Sequence, residues 1–169
     1  MKRITLGARA CSVFALSVVV CGSASAAATA PPPSRDEVER FARSYIESSG
    51  GADPAVVMEM VSKRPDVSTI GMGAINRGWE AIRSEVVKLA GSQGTHRISP
   101  GRMDVTFLGE GYALVVVPVT IDLIVGEDQA EMGGAVTLVL EKTAGKWKVL
   151  HEHDSLQFPM GDTPGTGAD

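Results

Sequence analysis

The first half of the chain, from Ser34 onward, repeats apolar residues with the period of an α-helix. After Ser34 they recur at every third or fourth position, and Ser34 with Glu37 forms a capping box. Asp53-Pro54 is an N-cap followed by proline at the first helical position, which predicts a second, short helix. A third helix is predicted from Trp79 to Leu89, because the apolar residues there keep the helical period and glycines follow them. The pattern therefore predicts three helices before residue 92.

The second half of the chain has the alternation of β-strands. A short strand over 66–72 precedes the third helix, and four strands follow it over 96–108, 112–125, 131–142 and 146–158. The glycine-containing turns between the last four predict hairpin neighbours in an antiparallel sheet. Pro118 predicts a bulge or an unpaired edge position, and Gly133-Gly134 a bulge or bend, either of which curls a sheet. The element order predicts one α+β domain over 34–158.

The N-terminal residues have the pattern of a secretory signal. Three basic residues precede an apolar run from Cys11 to Cys21, and small residues follow it, so cleavage is expected after Ala26 or Ala28. The run is shorter than the roughly 20 residues that span a bilayer, so no stable membrane span is expected after cleavage. We assign 1–26 to the signal peptide and 27–33 to a proline-containing linker. An exported protein, periplasmic or secreted, is expected.

The positions of the cysteines and the net charge argue against a disulfide-bonded domain and against a nucleic-acid-binding one. Both cysteines lie in the predicted signal, so no disulfide is expected in the mature chain. In an alternative interpretation Cys21 carries a lipid anchor, although Val18–Val20 lacks the small residue that such a signal requires. Cleavage removes three of the 16 basic residues and leaves 13 against 20 acidic ones, a formal charge of −7. No nucleic-acid partner is expected without a basic surface, and the tail over 159–169 is predicted to be disordered.

The last strand contains two of the three histidines. Because side chains alternate between the faces of a strand, the odd-numbered positions from Trp147 to His153 are expected on one face, and the even-numbered positions from Lys148 to Asp154 on the other. The first face begins too apolar for solvent, so we predict that His151 and His153 look into the domain together with Trp147. Leu150, on the opposite face, is expected to be covered by a dimer contact.

His151 and His153 are the candidate catalytic residues, because imidazole exchanges protons near neutral pH. The alternative is that both hydrogen-bond water or backbone and shape a pocket without reacting. No metal site is predicted, since Asp154 is expected on the opposite face and His96 lies far along the chain. No cofactor is predicted either, since no glycine-rich phosphate-binding loop is present. No catalytic serine is predicted, since none stands in a nucleophile elbow.

Three segments resemble the SnoaL-like members of the nuclear transport factor 2-like superfamily. They are Arg77–Arg83 on the third helix, Val136–Lys142 on the penultimate strand and Gly145–Ser155 on the last strand. The resemblance covers 34–158 and implies a curved antiparallel sheet wrapped around three helices as a cone, a cystatin-like roll with an apolar cavity, often dimerised through its outer face.

The same family includes isomerases, cyclases and dehydratases as well as binding and association domains, so the fold alone does not decide function. The ketosteroid isomerase pattern of a tyrosine and two carboxylates cannot be matched to this sequence residue by residue.

We therefore expect an exported domain that binds a small apolar ligand in its cone, with Trp147, Tyr45 and Trp79 lining the pocket. One alternative is an isomerase, cyclase or hydratase that uses His151 or His153 as its acid–base group. Another is a non-catalytic dimerisation module. A homodimer is expected through the outer face of the sheet.

Overall fold

Three helices and seven strands form the described part of the chain, which comprises residues 34–51, 53–91, 95–125 and 128–157 of a computed structural model. The helices are α1 (Arg35–Ser49), α2 (Pro54–Met60) and α3 (Trp79–Gly91). The Ser34 side chain accepts a hydrogen bond from the Glu37 amide, and Asp53 caps α2 in the same way. The three predicted helices are confirmed, whereas the predicted signal, linker and tail lie outside the described residues.

The strands form one mixed sheet in the order β2-β1-β7-β6-β5-β3, with β4 also paired to β5. They are β1 (Ser68–Gly71), β2 (Ala74–Arg77), β3 (Thr95–Pro100), β4 (Asp104–Phe107), β5 (Tyr112–Val125), β6 (Asp128–Thr143) and β7 (Lys146–Gln157). All pairs are antiparallel except β1 with β7, which is parallel. The wholly antiparallel sheet expected from the sequence is thus corrected to a mixed one.

Two strand boundaries differ from the sequence prediction. Strand β2 was not predicted. It forms a hairpin with β1 through Met72 and Gly73, whose φ angles of 49° and 80° suit a two-residue turn. The single strand expected over 96–108 is divided into β3 and β4.

Pro118 lies where β5 changes its partner from β4 to β3. Its carbonyl accepts a hydrogen bond from the Gly101 amide at 2.8 Å, in the interval between the two shorter strands. The proline nitrogen faces the same interval, so the missing N–H removes no bond from the ladder to β6. Pro118 remains in register with Ala135, and the bulge predicted at this position is absent from the described pairing.

A β-bulge in β7 changes which side chains face the interior. Leu140 lies opposite Val149, but Val139 lies opposite His151, so Leu150 is an extra residue in the pairing with β6. An extra residue of this kind reverses the alternation of the faces beyond it. We call the helix-facing side of the sheet the inner face and the opposite side the outer face. Gly133 and Gly134 pair in unbroken register with β5 and β7, so the bulge that was one of the two alternatives predicted there is absent.

The hydrophobic core lies between the inner face of the sheet and the helices. Helix α1 contributes Val38, Ala42, Tyr45 and Ile46, at the spacing of one helical stripe. The longest strands contribute the buried residues Val115, Val117, Leu138, Leu140, Trp147 and Val149. The core therefore holds α1 against β5, β6 and β7.

The adjacent glycines of β6 provide a test of the β6–β7 packing. A Cβ atom at Gly134 would lie 2.8 Å from the Ser155 carbonyl oxygen, whereas one at Gly133 would meet nothing within 4 Å. Because backbone cannot move aside easily, Gly134→Ala should lower the free energy of unfolding by about 1–3 kcal/mol. Gly133→Ala should change it by less than about 0.5 kcal/mol. Chemical denaturation measures both, and equal effects would contradict this packing.

Candidate functional site

A tyrosine and two carboxyl groups come together on the inner face beyond the bulge. Tyr45 extends from α1, and its hydroxyl donates a hydrogen bond to Glu152 Oε2 at 2.6 Å. Glu152 lies opposite the buried Leu138, and Asp154, two residues further along, lies opposite the buried Val136. We call Tyr45, Glu152 and Asp154 the acid cluster.

The neighbouring strand β1 makes room for the second carboxylate. Thr69 is in register with Glu152, so Gly71 follows on the same face beside Asp154. A Cβ atom at Gly71 would lie 3.3 Å from Asp154 Oδ2, closer than nearly all real Cβ contacts. The absence of a side chain at Gly71 therefore leaves space for the Asp154 carboxylate.

Burial changes the proton affinity of Glu152 and Tyr45. Removal from water, with a smaller contribution from the charge of Asp154, raises the pKa of Glu152 to about 8, although the Tyr45 hydroxyl opposes the shift. Burial, followed by the charge of Glu152, also raises the pKa of Tyr45 well above its usual range. At neutral pH Glu152 is mostly a neutral acid beside a neutral tyrosine. Since Oε2 accepts from Tyr45, a proton on Oε1 is available for donation.

Asp154 keeps a different protonation state. Burial raises its pKa to about 6, and the nearby His153 opposes the shift. Its Oδ1 atom is buried and has no hydrogen-bond partner among the described residues. The two carboxyls thus have separate proton affinities, as an acid and a base working at the same pH require.

The structure does not bring His151 and His153 to this cluster. Beyond the bulge both lie on the outer face, where His151 is half-buried and His153 is exposed. His151 Nδ1 lies 2.9 Å from Ser68 Oγ. Burial, and then the proximity of His153, lowers the pKa of His151. The expectation that these rings share a face with Trp147 is wrong, because it assumed an unbroken alternation; their participation in catalysis stays a prediction.

The residues expected to line a pocket are all partly or fully buried. Tyr45 is 2% exposed and Trp147 is 4% exposed. The Lys142 ammonium lies 5.5 Å from the centre of the Trp147 ring and forms an ion pair with Glu37 at 2.9 Å. Trp79 is half-buried, and its Nε1 donates to a carbonyl of α2 at 3.4 Å. Among these three residues, Tyr45 belongs to the acid cluster, and the pocket-lining role of the two tryptophans stays a prediction.

The third histidine lies elsewhere. His96 lines a cleft of about 470 Å³ between the C-terminal end of α1 and β3, and its Nε2 is 3.1 Å from the Ser49 carbonyl oxygen. Within residues 34–51, 53–91, 95–125 and 128–157, no group of three or more His, Cys, Asp or Glu side chains is arranged to hold a metal ion. In the same residues no helix is both long and apolar enough to cross a membrane.

Glu152 and Asp154 are the site residues that the sequence interpretation missed, because it assigned them to the outer face. The sequence did contain one signal for a polar group in the core. Tyr45 falls on the buried stripe of α1, and a buried tyrosine hydroxyl requires a hydrogen-bond partner.

The fold places the chain among nuclear transport factor 2-like and cystatin-like structures. A nuclear transport factor 2-like superfamily protein from Salmonella enterica serovar Typhimurium is 17% identical, with a TM-score of 0.65 over 77% of this chain and 95% of that one. A cystatin-like protein of unknown function from Nostoc punctiforme is 16% identical, with a TM-score of 0.61 over 74% and 92%. A provisionally assigned scytalone dehydratase from Novosphingobium aromaticivorans is 13% identical, with a TM-score of 0.64 over 73% and 83%.

The family follows from the sequence match. The model of the SnoaL-like domain matches residues 38–160, and the chain belongs to this family. No curated protein matches the chain. The predicted family and its helix-and-curved-sheet architecture are thereby confirmed.

The raised pKa of Glu152 predicts a pH dependence of stability. Between its ordinary value of 4.5 and about 8, the folded state keeps a proton that the unfolded state has lost. The contribution of this group is therefore fully present below 4.5 and is lost as the pH rises through about 8. Glu152→Gln keeps an acceptor for Tyr45 but cannot ionise. It should match the wild type near pH 5 and exceed it at pH 9 by about 1–3 kcal/mol.

Thermal unfolding from pH 5 to 9 measures this difference. The matched control is Glu131→Gln, because Glu131 is exposed on β6. A Glu152→Gln variant that loses stability with pH as steeply as the wild type would contradict the burial of an ionisable Glu152.

Proposed function

We propose that this SnoaL-like protein is an acid–base catalyst of the isomerase or dehydratase type that acts on a small, largely apolar carbonyl compound at the acid cluster. The observation that supports it best is the 2.6 Å hydrogen bond from Tyr45 to Glu152, which holds a carboxyl group on the inner face. Asp154 lies on the same face, two residues along β7. A neutral acid and a stronger acid that ionises at lower pH are thus adjacent.

The two carboxyls have complementary roles in this proposal. Asp154 as carboxylate accepts a proton from the carbon beside the carbonyl group, and the C–H electron pair forms a C=C bond. In an isomerisation, the carbonyl π electrons move to oxygen and Glu152 supplies its proton, which gives an enol. Asp154 then gives its proton to another carbon of the enol, and the enol O–H proton returns to Glu152. In a dehydration, the hydroxyl on the next carbon leaves as water with the Glu152 proton. After a dehydration the proton on Asp154 returns to Glu152, directly or through solvent.

The surroundings of the acid cluster favour an uncharged, apolar substrate. Leu138 and Val136 face the two carboxyls across the β6–β7 pairing, and both are buried. Among the described residues no Lys or Arg side chain is paired with Glu152 or Asp154. A substrate carboxylate would meet like charge without a compensating cation. Glu152 and Asp154 are half-buried, which leaves part of each residue accessible.

Proton exchange tests the proposed catalysis without knowledge of the natural substrate. Cyclic ketones and β-hydroxy ketones incubated in D₂O report by NMR both exchange beside the carbonyl and loss of water. Asp154→Asn removes the base and should slow exchange by about 100-fold or more. Glu152→Gln should slow it similarly, and Tyr45→Phe less, since it removes a hydrogen bond to the acid. The matched controls are Asp122→Asn, Glu131→Gln and Tyr112→Phe, whose side chains lie on the outer face.

The pH profile of the same reaction should be bell-shaped. Activity needs Asp154 ionised, above about 6, and Glu152 protonated, below about 8. Asp154→Asn and Glu152→Gln variants as active as the wild type would exclude this mechanism. Binding of the ketones without exchange in the wild type would favour the alternative function, a binding domain for small apolar molecules.

A second proposal concerns assembly, and it rests on the outer face. Five apolar side chains from four strands share that face. They are Ile75, Ile70, Val139, Leu114 and Val116. Two of them are well exposed, Ile75 at 56% and Val116 at 40%. We propose that a second copy of the chain covers them in a homodimer, since a monomer would leave this surface in water.

Val116→Lys should convert the dimer into a monomer, because an ammonium group would have to be buried at the contact. Sedimentation at micromolar concentration measures the change. Val87→Lys is the matched control, because Val87 is 47% exposed on α3, away from the sheet face. A wild-type protein that sediments as a monomer would contradict the proposal.

A further inference from the structure

The outer face of β7 presents two histidines that the acid cluster does not use. The bulge at Leu150 turns His151 and His153 to the same side, at positions i and i+2. Their neighbours across the ladder are Val139 and Thr137 of β6, and Ser68 and Ile70 of β1. We propose that His151 and His153 chelate one divalent transition-metal ion on this face.

The spacing of the two residues suits a shared ion. Positions i and i+2 of a strand lie about 7 Å apart, and their side chains project in the same direction. Histidine nitrogens bind zinc at about 2.0–2.1 Å, so both rings must lean toward a point between them. His153 is exposed and has this freedom, whereas His151 is half-buried.

Ser68 fixes the less mobile ring. Its Oγ lies 2.9 Å from His151 Nδ1. When Nδ1 carries the hydrogen and donates it to the serine, Nε2 keeps a free lone pair directed away from β1. A second group that holds the non-coordinating nitrogen is the usual support for a metal-binding imidazole. Ser68 would thus act as a positioning residue for His151.

The ligand type decides the class of ion. Imidazole nitrogen favours Zn²⁺, Cu²⁺ and Ni²⁺, whereas Mg²⁺ and Ca²⁺ require several oxygen ligands. Ile70, Thr137 and Val139 supply no carboxylate around the pair. The chain provides only two ligands, since the described residues hold no group of three or more, and water completes the coordination. A dimer contact over the flanking apolar residues therefore has to leave a water-filled gap above His151 and His153.

Metal titration of tag-free protein tests the proposal. Isothermal titration with ZnCl₂ and with NiCl₂ should show one ion per chain, and MgCl₂ should show none. His151→Gln and His153→Gln should each abolish this binding, because a single imidazole cannot chelate. Ser68→Ala should weaken it about tenfold, the loss expected for a supporting group. His96→Gln is the matched control and should bind as the wild type does, since His96 lies on β3 beside α1.

Electron paramagnetic resonance of the protein with one equivalent of Cu²⁺ gives an independent count of ligands. Two coordinating nitrogens are expected in the wild type and in Glu152→Gln, and one in either β7 histidine variant. Zinc binding unchanged in both of those variants, or none in the wild type up to about 1 mM, would overturn the proposal. Neither result would bear on the acid cluster, which faces the other side of the sheet.

Discussion

Strand β7 has to bury two different kinds of surface along one length of chain. At its beginning Trp147 and Val149 pack into the core, which fixes the odd-numbered positions inward. Near its end Glu152 meets Tyr45, which requires the even-numbered positions inward. A regular strand cannot satisfy both demands, because its side chains alternate strictly. The extra residue at Leu150 reconciles them, and the acid cluster and the outward histidines both depend on it.

Glu152 is tolerated on the inner face because it keeps its proton at neutral pH, whereas Asp154 ionises at a lower pH. A buried carboxylate without a partner costs several kcal/mol, and the usual outcome is a raised pKa instead of a buried charge. Tyr45 offsets part of the cost for Glu152 with a short hydrogen bond. Asp154 retains a buried oxygen without a partner among the described residues. A group left in this condition by the fold is more readily explained by chemistry than by stability.

The sequence predicted the helices and the long strands, but not strand β2, the division between β3 and β4, or the site. The α1 stripe and the long strands follow from periodicity, because any other phase would expose the apolar side chains to water. The caps at Ser34 and Asp53 follow from residue type, since both side chains accept hydrogen bonds from the first turn. Between Val149 and Asp154, however, imidazoles alternate with carboxyls, so both faces are polar and the pattern does not distinguish them. The bulge consists of Val149, Leu150 and His151, so it contains no glycine, proline or asparagine that would indicate it in the sequence. Contacts with Leu138 and Tyr45 decide which face of β7 each residue takes. Both residues lie outside β7, so the local pattern does not show these contacts.

The parallel pairing of β1 with β7 has a consequence for the order of folding. Strand β1 belongs to the first half of the chain, but its partner other than β2 is the last strand. Contacts of such high sequence separation form slowly, because a long loop must close before they stabilise anything. During synthesis the β1–β2 hairpin must therefore wait, with one edge unpaired, until β7 has emerged from the ribosome. The acid cluster, which takes Tyr45 from one end and Glu152 from the other, is completed in the same late step. A truncated or stalled chain would therefore possess the sequence of the helices and still lack the acid cluster.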